Sequence, residues 1–93
     1  MTIEYAHEKL AQAERALATG SGRMQERLEY AALFLIRIKP YEDFPDYDLR
    51  HIFNGIMADL TYKEPQGDED RTRDIARRIV DFYHRIDRLV RGD

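Results

Sequence analysis

The chain has 93 residues, no cysteine, 35% charged residues and a formal net charge of −3 at neutral pH. That length allows one domain, residues 1–93, with a modest core, and the missing cysteine excludes disulfides and thiolate metal sites. No apolar run approaches the roughly 18 residues of a membrane span, residues 1–20 do not read as a signal peptide, and the acidic balance argues against nucleic acid held by bulk attraction.

The expectation is a cytoplasmic, all-α protein that needs no cofactor and meets no membrane. Charge is unevenly spread along it. Residues 1–39 carry six basic and five acidic groups, residues 40–70 two and nine, and residues 71–93 seven and four. An acidic middle and a basic end can attract one another within a molecule or between copies.

The first predicted helix runs from Ile3 to Ala18. Thr2 is a suitable N-cap, and Ile3, Ala6, Leu10, Ala13 and Leu17 form a seam at 3-4-3-4 spacing. Gly20 suits the left-handed residue that ends a helix, and Ser21 can cap the next. The second helix is predicted from about Gly22 to Ile38, stopped by Pro40. Its stretch Leu28–Ile38 places Leu28, Ala31, Ala32, Phe34, Leu35, Ile36 and Ile38 over an arc of about 200°, wide enough to need neighbours on two sides. This helix is therefore expected to be the most buried.

Pro40–Asp48 reads as a turn-rich connector that becomes helical near Pro45. A third helix carries Leu49, Ile52, Phe53, Ile56, Met57 and Leu60 on one face. Thr61–Gly67 reads as a surface loop, Asp68 as a cap, and a fourth helix follows with Ile75, Ile79, Phe82, Ile86 and Leu89 as its seam, ended by Gly92. Four amphipathic helices with short connections predict an antiparallel up-down-up-down four-helix bundle.

Few residues in this frame suggest chemistry. Each histidine follows a carboxylate by three residues: Glu4 and His7, Asp48 and His51, Asp81 and His84. On a helix that spacing sets both groups on one face, as in the Glu-x-x-His ligands of di-metal carboxylate bundles. Those bundles aim their ligands inward, whereas His51 and His84 fall on the solvent side of their helices. Only His7 borders a core seam. With 18 carboxylates in the chain, such spacings also arise by chance.

Within Gln25–Glu29, the pair Glu26-x-x-Glu29 resembles the E-x-x-E with which all-helical nucleotide pyrophosphohydrolases of the MazG kind open their magnesium site. The resemblance implies a small metal-dependent oligomer. Its second acidic pair has no match, since Asp48 and Asp59 are not so spaced. The metal set implied by these two patterns is Glu4, His7, Glu26 and Glu29. The bland alternative is a solvated acidic face.

The fourth helix holds seven arginines and no lysine. Arg71, Arg78, Arg85 and Arg88 offer an electrostatic surface for phosphate or an acidic partner. Asp74, Asp81 and Asp87 precede Arg78, Arg85 and Arg91 by four residues, which is the pattern of a self-paired solvated face.

Association leaves a clearer trace. Leu33 lies amid the charged side of the second helix, between Glu29 and Arg37, with Tyr30 about 60° away. Gly55 lies beside His51 and Ala58 on the outer side of the third helix, a strip that lets another backbone approach. The favoured expectation is a non-catalytic protein-interaction or assembly module, a homodimer or the partner of another protein. Its candidate contacts are Tyr30, Leu33, Arg37, His51, Gly55 and Ala58.

Overall fold

The computed structural model describes residues 2–20, 22–61 and 69–92. Five helices follow one another there: α1 (Ile3–Thr19), α2 (Met24–Leu35), α3 (Pro40–Asp43), α4 (Tyr47–Thr61) and α5 (Glu69–Arg91). No strand occurs among the described residues, so the all-α expectation holds. None of these helices is long and apolar enough to cross a membrane. The expected cap at Asp68, most of the loop before it, and Ser21 lie outside the described residues.

The expected count of four helices is corrected to five. Pro40 does not merely stop the second helix; it occupies the first turn of α3, where its fixed φ suits a helix and its missing N–H costs nothing. The turn closes reciprocally. The Asp43 amide donates to the Lys39 carbonyl at 2.8 Å, and the Lys39 amide donates to Asp43 Oδ2 at 2.9 Å. Helix α4 then starts at Tyr47, two residues later than Pro45.

Other boundaries shift for local reasons. Thr2 makes no side-chain cap; its carbonyl accepts from the amides of Tyr5 and Ala6 instead. Gly20 is not left-handed but extended, with φ −65. A glycine is needed there for space, because a Cβ would sit 2.5 Å from the Ala16 carbonyl oxygen. The left-handed residue is Gly22, with φ +95, and α2 accordingly begins only at Met24. At its other end the chain tightens, as Arg37 and Ile38 donate to the carbonyls of Phe34 and Leu35 three residues back.

The seams of α1, α4 and α5 supply most of the core. Ala6, Leu10, Ala13, Ala16 and Leu17 are buried on α1, Leu49, Phe53 and Ile56 on α4, and Ile75, Ala76, Ile79, Phe82 and Ile86 on α5. Leu89 departs from its predicted seam and is half exposed. The expectation that the second helix is most buried is overturned. Helix α2 buries Leu28, Ala31 and Leu35 and packs chiefly on α1 and α5, while α5 packs on α1, α2 and α4. Of the wide apolar arc, Leu28, Ala31, Leu35 and Ile38 are buried and Ala32 and Phe34 half-buried, while Ile36 at its edge is 63% exposed.

Phe44, in the segment read as a connector, is buried in the core. Its ring lies 5.3 Å from Phe53 and 5.4 Å from Phe82, between centroids, in tilted and edge-on geometries that aromatic pairs favour. Arg50 Nε donates to the Phe44 carbonyl at 3.0 Å, which ties this segment to α4.

Candidate functional site

Burial of Leu28, Ala31 and Leu35 fixes the roll of α2 and turns Glu26, Glu29, Tyr30, Leu33 and Arg37 outward. Ile36 follows them around the tightened last turn. Tyr30 is 54% exposed and Leu33 55%, so with Ile36 three large apolar side chains stand in solvent along one flank of one helix. Tyr30 is not loose there. Its ring meets Phe34 edge-on at 5.5 Å, and Phe34 packs against the core. Glu29 and Arg37 are exposed, and neither has an ion-pair partner among the described residues.

The strip around Gly55 is differently placed. The Arg78 guanidinium of α5 lies 3.7 Å from the position a Cβ would take at Gly55, an ordinary contact distance. His51 and Ala58 are exposed beside it, and Tyr47 stacks on His51 with centroids 5.9 Å apart.

Arg78 also pairs with the Asp59 carboxylate of α4, and Arg71 donates to the Asp59 carbonyl at 3.1 Å. The hydrogen bond from Arg78 holds the Asp59 carboxyl below its ordinary range, and the charges of Arg78 and Arg71 add to the effect. Two arginines of the predicted electrostatic surface thus join α4 to α5, whereas Arg85 and Arg88 are exposed. Of the predicted pairs within α5, Asp87 with Arg91 forms at 2.9 Å and Asp74 with Arg78 is a looser 3.9 Å contact.

His7 does not pair with Glu4. Its Nε2 lies 2.7 Å from Asp87 Oδ1, and its ring stacks on Tyr83 at 5.6 Å, so α1 and α5 are joined where the sequence suggested a ligand. Hydrogen bonds from His7 and then Arg91 hold the Asp87 carboxyl below the usual carboxylate range. Glu4, His7, Glu26 and Glu29 are not brought together. Among the described residues no group of three or more histidines and carboxylates lies close enough to hold a metal ion.

The sequence reading missed Ile36 as a surface residue, having placed it in the apolar arc. The signal was available in its spacing, since Ile36 follows Leu33 by three residues on the same flank. No protein-family model matches the chain, and no curated protein or solved structure matches it.

Proposed function

We propose that the chain is a small cytoplasmic protein-interaction module, without catalytic activity of its own, that self-associates through the outer face of α2. The observation that carries this reading is the trio Tyr30, Leu33 and Ile36, each more than half exposed on a helix whose opposite side is core. Scattered exposed apolar residues are ordinary, but a row of them rimmed by charge marks a contact surface. Tyrosine and arginine, the residues flanking Leu33 here, are enriched in interface cores.

The same reading takes the four longer helices as an antiparallel up-down-up-down bundle, with α3 as a single turn in its second connection. Three contacts support that arrangement: His7 of α1 with Asp87 of α5, Arg27 of α2 with the Leu17 carbonyl of α1, and Asp59 of α4 with Arg78 of α5. The first two join opposite ends of their helix pairs, and Arg71 in the first turn of α5, donating to the Asp59 carbonyl near the end of α4, does the same for the third. A four-helix arrangement of this kind leaves each helix an outer face; Tyr47 on α4 and Leu89 on α5 are exposed as single large groups, whereas Tyr30, Leu33 and Ile36 follow one another along α2 and its last turn.

Replacing Leu33 by glutamate tests the reading. Leu33 is exposed, so the helical circular dichroism stays that of the parent, and the thermal midpoint falls only by what loss of the partner removes. The mass in solution falls to that of one chain. A variant that remains as assembled as the parent removes this face as the interface.

A further inference from the structure

The outer face of α2 has an internal order that specifies how a second copy would lie on it. We propose that two copies pair α2 against α2 in antiparallel fashion, about a two-fold axis that passes at Leu33. This inference rests on the self-association proposed above and adds its geometry.

In a two-fold contact the same patch appears on both partners, and for antiparallel helices the residues meeting at one level have a constant sum of positions. With Leu33 on the axis, Leu33 meets its own copy. One turn away, Tyr30 of one chain and Ile36 of the other come to the same level. One residue further out, Glu29 comes level with Arg37. All five side chains belong to one outer flank of α2 and its tightened last turn, spanning about 120° around the axis. Every one of them is exposed.

Charge decides the direction. In an antiparallel pair each Glu29 faces the Arg37 of the other chain, twice by symmetry, and the Arg37 guanidinium also reaches the Tyr30 ring across the interface. In a parallel pair centred on the same residue, Glu29 would face Glu29 and Arg37 would face Arg37, both repulsive. Within the chain Glu29 and Arg37 have no ion-pair partner among the described residues. They stand eight residues apart, too far to satisfy one another along the helix. A second copy in antiparallel register gives both an opposite charge without moving the fold, and the apolar trio supplies the dry centre between the two charged ends.

The chain has no cysteine of its own, so single introduced thiols report the contact cleanly. The experiment compares the full-length parent with Glu29→Arg, Arg37→Glu, the double variant carrying both, Leu33→Cys, and an exposed control on α4, Asp48→Cys. Dissociation constants come from sedimentation, and cross-linking from mild oxidation followed by a non-reducing gel.

Each single charge reversal weakens the dimer on the order of five- to tenfold, because two symmetric pairs turn repulsive together. The double reversal restores the parent affinity. Leu33→Cys forms a covalent dimer, while Asp48→Cys stays monomeric on the gel. Suppose instead that the parent dimer dissociates on Leu33→Glu, yet the double reversal stays as weak as the singles or Leu33→Cys does not cross-link. The α2 face then stands and the antiparallel register is overturned. A parent that is monomeric, or a dimer indifferent to Leu33→Glu, overturns the self-association reading itself. Circular dichroism of every variant separates these outcomes from misfolding.

Discussion

Asp43 and Phe44 are adjacent, fully buried, and lie in a segment whose prolines and acids read as a surface connector. A buried carboxylate needs partners, and Asp43 has one in the Lys39 amide. Replacing it with alanine leaves that amide without its acceptor, and the expected loss in urea unfolding is about 1–2 kcal/mol. Asp43→Asn keeps an acceptor oxygen and loses less; equal losses for both variants would show that the bond to Lys39 contributes little. Asp87 gives the second prediction at this scale. Its carboxyl is held low by His7 and then Arg91, so the folded state binds its proton less readily than the unfolded chain does. The stabilisation is therefore present above the ordinary carboxylate pKa of about 3.9 and is lost as pH falls through the lower folded value. Thermal midpoints of Asp87→Asn should drop less steeply than the parent's below about pH 4. Parallel acid limbs for the two proteins would contradict this. His7 shows why the candidate metal set failed to assemble. Spacing of three along one helix is local information, whereas its actual partner stands 80 positions away in sequence.

The helices themselves were largely legible, because apolar seams at 3-4 spacing are a property of each segment alone. Ala6, Leu10, Ala13 and Leu17 on α1, and Ile75, Ile79, Phe82 and Ile86 on α5, are buried where their periodicity put them. The ranking of the helices was not legible. Helix α2 has the greater apolar density, but burial follows from neighbours, and the 23-residue α5 is long enough to lie against three elements while α2 meets chiefly two. The surplus apolar surface of α2 is thus the part left facing solvent. Gly55 of α4 supplies a test at this scale. Among the described residues a Cβ there would meet only the Arg78 guanidinium, at 3.7 Å, and alanine is favoured over glycine by about 1 kcal/mol inside a helix. Gly55→Ala should therefore raise stability by roughly 0.5–1 kcal/mol without changing the solution mass. A drop in association would move the interface from α2 to the α4 strip.

In the whole molecule, the uneven charge seen along the sequence is partly consumed inside the fold. Asp59 engages Arg71 and Arg78, and Asp87 engages His7 and Arg91. Asp59 with its two arginines joins α4 to α5 and His7 with Asp87 joins α1 to α5, while Asp87 with Arg91 lies within α5. Among the described residues Glu26 and Glu29 on α2 and Arg37 just beyond it have no ion-pair partner, and the pattern of Glu29 and Arg37, one on each side of Leu33, is self-complementary under a two-fold rotation. The sequence showed Leu33 as misplaced on a charged face, but it could not show that nothing covers it; that depends on where the other helices lie. The central claim is self-association through this face, and the most direct test is the mass in solution by light scattering across a range of concentrations. The account predicts a mass that approaches twice the 11.0 kDa of one chain as concentration rises, and that stays at one chain for Leu33→Glu. A parent that remains at 11.0 kDa throughout, or a dimer that Leu33→Glu leaves intact, would contradict it.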